Sequence, residues 1–589
     1  MSINILNKIN GPQDLKGFSI DELKVLSSEI RESIITKVST TGGHFGPNLG
    51  MVEATIALHC VFNSPIDKIV YDVSHQSYTH KILTGRKHAF INPDEYKSVT
   101  GYTSPNESEH DFFTIGHTST SVSLACGLAK ARDIKGGNEN IIAVIGDGSL
   151  SGGEAYEGLN NAAATGKNII ILVNDNDMSI AKNYGGLYKN LALLRETDGK
   201  SENNFFKSLG FDYYYVKNGN NIESLIETFS KVRDTSHPVI VHMHTVKGKG
   251  YKDSEEDKEA FHWIMPFDLK TKEPLVKNNG ETYAEIAGEF LSQKARKDSS
   301  VVAITAATPG PVGLGSFRHE FKDQFIDVGI AEEHAIALAS GIASQGGKPV
   351  ASFISSFIQR TYDQLSQDLA INNNPALIMV YGGGITGSDV THHGIFDIPL
   401  ISNIPNIVYL APTNKEEFIA MMEWGIEQDK YPVAIRVPNK RVLSARVEVE
   451  PNFDNLNTYE KVKDGSEVAI IGLGSFYNLG EKVHEKLKET TGINATLINP
   501  RFISGIDKNL LTELLDNHKL LITLEDGILD GGFGEKISRF YGDKDMKVLN
   551  FGASKEFTDS VPLKELYERY HLTDELIISD IKKALKYLN

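Results

Sequence analysis

Short apolar runs rich in β-branched residues alternate along this chain with stretches of helical period. Residues 141–145 (IIAVI) and 169–173 (IIILV) are bounded and wholly apolar, as strands covered on both faces of a parallel sheet must be, and 238–242 (PVIVH) continues the series. A second alternation runs through 301–305, 325–328, 376–380 and 407–410, and a third begins at 468–471. Phe18-Ser19-Ile20-Asp21-Glu22-Leu23 predicts a helix start, with Ser19 as N-cap, Glu22 closing a capping box and Phe18 packing on Leu23. Leu23, Leu26, Ile30 and Ile34 then fall on one apolar face. This pattern predicts an α/β protein with mainly parallel sheets.

A chain of 589 residues exceeds what one core can organise. Three α/β domains are expected, over 1–270, 278–450 and 460–589. The first break falls in 267–281, with Pro274 and the polar Lys277-Asn-Asn-Gly280, and the second in the polar stretch 452–463. Gly472-Leu-Gly474 follows a strand, but Tyr477 stands where a dinucleotide fingerprint needs its third glycine.

The formal charge of −17 argues against a nucleic-acid surface, so any anionic ligand must be held by local donors. Two cysteines, Cys60 and Cys126, are too few for a disulfide framework or a thiolate metal site, and both are expected in the core of a cytoplasmic protein. No basic segment leads into a sustained apolar run at the start, and nowhere do about 18 apolar residues stand together. Neither secretion nor a membrane partner is expected.

Gly146-Asp147-Gly148 follows one predicted strand and Asn174-Asp175-Asn176 the next. In an open α/β sheet, ligands bind beyond the carboxyl ends of the strands. Mg²⁺ takes oxygen ligands, and Asp147, the amide of Asn176 and the carbonyl of Met178 supply a carboxylate, an amide oxygen and a backbone carbonyl. The flanking glycines let the backbone approach a diphosphate closely. A lone Gly-Asp-Gly is usually only a turn, whereas the pair on matching strands is the pattern of enzymes using thiamine diphosphate.

Around it stand Asp72-Val-Ser-His75-Gln-Ser-Tyr-Thr-His80-Lys-Ile-Leu-Thr-Gly-Arg86, Gly116-His117-Thr118-Ser119-Thr120-Ser121, Asn174-Asp-Asn-Asp-Met-Ser-Ile180 and Ala331-Glu332-Glu333-His334-Ala335. With Asp14-Leu-Lys-Gly-Phe-Ser-Ile-Asp-Glu-Leu23, Leu524-Glu-Asp-Gly527 and Gly531-Gly-Phe-Gly534, they resemble the 1-deoxy-D-xylulose-5-phosphate synthase family of the transketolase superfamily over nearly the whole chain. The resemblance implies a pyrophosphate-binding module first, a pyrimidine-binding module second, a transketolase C-terminal-like domain third, and a homodimer. It assigns His75, Gly116, His117, Thr118, Gly148, Ser149 and Asn176 to cofactor contacts, with Tyr251 closing over them. Glu332 matches the carboxylate that activates the pyrimidine ring, Phe357 the aromatic that stacks on it, and His44, His262 and His392 the active-site histidines. Imidazoles suit proton transfer near neutrality. Arg360 and Asp389 match substrate-binding positions. The implied reaction decarboxylates pyruvate and joins the two-carbon unit to D-glyceraldehyde 3-phosphate, feeding isoprenoid, thiamine and pyridoxal phosphate synthesis.

The chain departs from the family at the acceptor. There the resemblance calls for a tyrosine and two arginines holding a phosphate, as guanidinium forks do, and this chain has Ile354, Gly382 and Asn439. The loop from Asp389 to His392 is one residue shorter. Lys440 and Arg441 are near enough in sequence to compensate for the position of Asn439 if that loop is shifted. Two other readings stay open: ketol transfer between sugars without decarboxylation, as in transketolases, and a cofactor-binding pseudoenzyme.

Overall fold

The computed structural model describes residues 5–165, 168–276, 280–439, 441–445, 449 and 452–588. The chain divides into two compact units, 1–278 with 329–331, and 279–328 with 332–589.

In the first unit, five parallel strands lie in the order Lys68–Tyr71, Ile141–Gly146, Ile170–Asp175, Val239–His244, Asp212–Val216. The apolar runs at 141–145 and 169–173 are central and fully buried, which explains why they carry no polar alternation. Gly146 pairs with Asn174, so both motifs emerge side by side at the carboxyl end of the sheet. The helix Ile20–Thr41 begins as expected: the Ser19 side chain accepts from the Glu22 N–H, and Glu22 Oε2 accepts from the Ser19 N–H at 2.9 Å. Leu23, Leu26, Ile30 and Ile34 are buried in one cluster, against which Phe18 packs.

The second unit carries two sheets. One has six strands in the order Val408–Leu410, Val433–Arg436, Leu377–Tyr381, Lys348–Ile354, Val301–Thr305, Phe325–Asp327, all parallel. The other runs Glu460–Lys463, Thr496–Asn499, Glu467–Gly472, His518–Ile528, Lys547–Ala553. Within the expected polar break at 452–463, Glu460–Lys463 is an antiparallel edge strand. Its charged residues hid it, and charge is how an exposed edge avoids pairing with other chains. Of the other expected break, Lys277, Asn278 and Asn279 lie outside the described residues. Gly472 and Gly474 serve packing: a Cβ on Gly472 would stand 2.6 Å from Tyr477 Cα, and Gly474 has φ +52°. Glu525 accepts the N–H groups of Phe533 and Gly534 at the start of the helix Phe533–Tyr541, which joins the two C-terminal motifs.

Cys60 and Cys126 are free and half-buried, each packed against a hydrophobic core cluster of the first unit. Among the described residues no helix is long and apolar enough to cross a membrane.

Candidate active site

In the first unit Asp147 follows its strand directly and is buried (1% exposed). Its Oδ2 accepts the Met178 N–H at 3.1 Å and the Asn183 side-chain N–H at 2.9 Å, so Met178 does lie against it. Burial, with the nearby Asp175, holds the Asp147 carboxyl well above its ordinary range. The three members of Asn174-Asp175-Asn176 separate in role. Asn174 Oδ1 accepts from Thr245 Oγ1 at 2.5 Å, and Asp175 is bound by Arg195 and by His242 Nε2. Asn176 Oδ1 is buried with no hydrogen-bond partner among the described residues. A buried acceptor without a donor, two residues before the Met178 N–H that meets the destabilised carboxylate, fits a divalent cation, which would satisfy both.

Gly148 packs tightly, since a Cβ there would lie 2.9 Å from Ser179 Cβ, whereas a Cβ on Gly146 would meet no protein atom within 4 Å. The open side at Gly146 fits close approach by a ligand; the constraint on Gly148 is already present within the chain. Ser149 accepts the Ser119 hydroxyl at its carbonyl, 2.8 Å. Ser119 follows Gly116, His117 and Thr118, and its backbone is left-handed (φ +75°). The carboxylate of Asp72 holds that strained turn by accepting the N–H groups of Ser119 and Ser121 at 2.8 and 2.9 Å.

Three expected histidines meet. The ring of His44 lies 4.7 Å from that of His75 and 5.6 Å from that of His262, and His75 lies 5.4 Å from His262. Desolvation, then Lys247 and the neighbouring imidazoles, hold His262 well below the ordinary range, so it is neutral at pH 7. Tyr251 packs edge-on against Phe45 at 5.2 Å, and its buried hydroxyl has no hydrogen-bond partner among the described residues.

In the second unit Glu332 begins the helix Glu332–Ala343 and is 3% exposed. Burial pushes its carboxyl up to about 7, against the opposing pull of Arg360. Oε2 stands 3.7 Å from Arg360 Nη1 and accepts no hydrogen bond among the described residues, which fits a proton-exchanging partner on a ring nitrogen. Phe357 and His392 are edge-on at 5.6 Å. His392 Nδ1 is 3.1 Å from Asp389 Oδ1, which also accepts the Thr391 N–H. Burial opposes charge on Asp389, but the bonds from His392 and Thr391 outweigh it and keep the carboxyl well below its usual range.

At the departures, Gly382 has φ +70°, and a Cβ there would lie 3.8 Å from Ile354 Cγ2. The turn behind it rests on buried Arg436, which binds Asp397 through Nε at 2.6 Å and pairs with Asp526 through Nη1. A Cβ on Gly383 would come within 2.9 Å of Arg436 Nε. Asn439 and Arg441 are exposed, and Lys440 lies outside the described residues.

Sequence reasoning missed several residues here. Asp72 was signalled as an acid just past a buried strand, the same placement as Asp147. Tyr102, 5.9 Å from the His44 ring, and Lys247, which donates to the Ser179 carbonyl at 2.7 Å, lie in irregular segments without periodicity to mark them.

Residues 6–202 and 197–245 match the family model for 1-deoxy-D-xylulose-5-phosphate synthase, 280–443 that of the transketolase pyrimidine-binding domain, and 457–577 that of the transketolase C-terminal domain. The chain is 40% identical over 624 residues to 1-deoxy-D-xylulose-5-phosphate synthase of Halothermothrix orenii, covering 99% of this chain and 98% of that protein. It is 40% identical to that of Carboxydothermus hydrogenoformans, covering 99% and 100%. A solved transketolase from Leishmania mexicana is similar at 15% identity and a TM-score of 0.45, covering 97% of this chain and 98% of that one. Identity of 40% along essentially the full length of the two synthases means that the chain belongs to the 1-deoxy-D-xylulose-5-phosphate synthase family.

Proposed function

We propose that this chain is a carboligase that decarboxylates pyruvate and joins the two-carbon unit to an aldehyde, with thiamine diphosphate and Mg²⁺ as cofactors. When bound, thiamine diphosphate supplies a carbon acid and an electron sink. Asp147, Asn176 and the Met178 carbonyl would hold the metal, and the unpartnered Asn176 oxygen supports that reading. His75, Gly116, His117, Thr118, Gly148 and Ser149 would face the diphosphate, with Tyr251 closing over it and Phe357 stacking on the pyrimidine. Glu332 would hold and release a proton at the pyrimidine nitrogen. The buried Glu332 carboxyl at its helix start, with Oε2 accepting no hydrogen bond among the described residues, is the observation that carries the proposal, and burial raises it to about 7, suited to proton exchange at neutral pH. His262, kept neutral, is ready to take a proton, while His44 shares its cluster. His392 is oriented through Nδ1 by Asp389.

For the acceptor, the relatives' name points to D-glyceraldehyde 3-phosphate. The chain's own residues favour an aldehyde that lacks the phosphate or is gripped differently. Ile354 and Gly382 form an apolar corner, Arg360 is paired with Glu332, and Arg436 is committed to Asp397 and Asp526. Each missing charge-assisted contact is worth about 1.5 to 3 kcal/mol. The three-domain division, a homodimer and a cytoplasmic location complete the proposal.

The test is Glu332→Ala: turnover with pyruvate disappears while calorimetric binding of thiamine diphosphate in Mg²⁺ stays within about tenfold of wild type, because the diphosphate contacts lie elsewhere. Unaltered turnover would remove Glu332 from its role.

A further inference from the structure

Asn176 stands between two aspartates that one guanidinium ties together. Arg195, on the helix Gly186–Glu196, donates from Nη1 to both oxygens of Asp175 at 2.7 and 2.6 Å and from Nη2 to Asp177 Oδ1 at 3.1 Å. Asp175 is fully buried, and His242 Nε2 meets its Oδ2 at 2.8 Å, while the other ring nitrogen of His242 meets the Tyr213 hydroxyl at 2.7 Å. Asp177 is left-handed (φ +62°), a conformation that aspartate adopts more readily than most non-glycine residues. Its N–H donates back to Asp175 Oδ1 at 3.2 Å, and Lys258 Nζ reaches the Asn176 carbonyl at 3.3 Å. Asn176 is thus the apex of a short loop clamped on both sides, and its side-chain oxygen is buried without a partner among the described residues.

We propose that Arg195 is a positioning residue for the metal loop: its fork across Asp175 and Asp177 fixes the Asn176 amide oxygen, and the Met178 carbonyl two residues on, before a divalent cation arrives. This rests on the reading that Asp147, Asn176 and Met178 hold the cation that accompanies thiamine diphosphate. Geometry and charge predict opposite outcomes, which makes the idea testable. Removing a cation beside several carboxylates would by itself strengthen Mg²⁺ binding, whereas removing a clamp weakens it.

The experiment is calorimetric titration of thiamine diphosphate at graded Mg²⁺ concentrations for wild type, Arg195→Met, Arg195→Lys and Asp177→Asn. Outer partners of metal ligands typically set affinity by about 10- to 100-fold, so Arg195→Met should raise the Mg²⁺ concentration for half-maximal binding by at least about tenfold. Binding and kcat should recover at saturating Mg²⁺. Arg195→Lys keeps the charge without the fork and should fall between. Asp177→Asn weakens the exposed arm and also removes a carboxylate, so geometry and charge predict the same rise in Mg²⁺ requirement, about two- to threefold. If Arg195→Met fails to fold, Arg195→Lys decides, because it keeps the charge and loses only the fork. An unchanged or lower Mg²⁺ requirement in these variants overturns the proposal, as does binding lost from a folded Arg195→Met protein even at saturating Mg²⁺. Wild type that bound no thiamine diphosphate at any Mg²⁺ concentration would instead overturn the reading beneath it, and the proposal with it.

Discussion

Replacing Glu332 by glutamine should stabilise the cofactor-free protein, and increasingly so as pH rises. Burial lifts the carboxyl from 4.5 to about 7, which penalises the ionised form by about 3 kcal/mol at 1.36 kcal/mol per pH unit. Between pH 4.5 and about 7 the folded chain keeps a proton that the unfolded chain has lost. Stability therefore falls as pH climbs through that window and stays reduced above it. Glutamine carries no such proton. The opposing pull of Arg360, 3.7 Å away, is already contained in that value, so the difference should grow by about 2.5 kcal/mol between pH 5 and 8.5. Urea unfolding measures it. The chain has two tryptophans, and Trp263 is half exposed, so in a Trp263→Phe background Trp424 reports on the unit that contains Glu332. A mutant advantage that is flat with pH, or larger at pH 5, would refute the assignment of Glu332 as a desolvated acid.

Other outcomes follow from the same structure. Arg436→Ala should cost about 3 to 5 kcal/mol in urea unfolding, since it takes the guanidinium away from buried Asp397 and breaks the ion pair to Asp526. Gly382→Arg, which restores the family's residue, should destabilise by about 1 to 2 kcal/mol because φ is +70° there, and should not lower the KM for a phosphorylated aldehyde unless the turn shifts. Asp147→Asn should abolish the Mg²⁺ dependence of thiamine diphosphate binding in calorimetry and weaken it at least tenfold, as loss of a charged ligand requires.

The sequence carried a good deal of this. Strands covered on both faces are readable as unbroken apolar runs, and so are the strand ends that carry Asp147 and Asn174. The helix entry at Ser19 was readable because a capping box is local chemistry. The edge strand Glu460–Lys463 was hidden because exposure removes the apolar signal. The partners of Asp175 lie 20 and 67 residues away along the chain, and only the tertiary fold brings Arg195 and His242 to it. For the same reason, the motif alone did not separate Asn174 and Asp175, which are spent on structure, from Asn176, which retains an unpartnered oxygen. At Gly382 the sequence revealed the loss of an arginine; the left-handed backbone adds that an L side chain is now disfavoured there.

The most direct test of the central claim is incubation of the purified protein with [2-¹³C]pyruvate, thiamine diphosphate, Mg²⁺ and a panel of aldehydes including D-glyceraldehyde and D-glyceraldehyde 3-phosphate, following CO₂ and product mass. The account predicts CO₂ release coupled to a labelled two-carbon extension of an aldehyde, with the non-phosphorylated acceptor saturating at lower concentration than its phosphate ester. Ketol transfer between sugars without CO₂, or no turnover of any donor despite tight cofactor binding, would contradict it; micromolar saturation by D-glyceraldehyde 3-phosphate would contradict the reading of Ile354, Gly382 and Asn439.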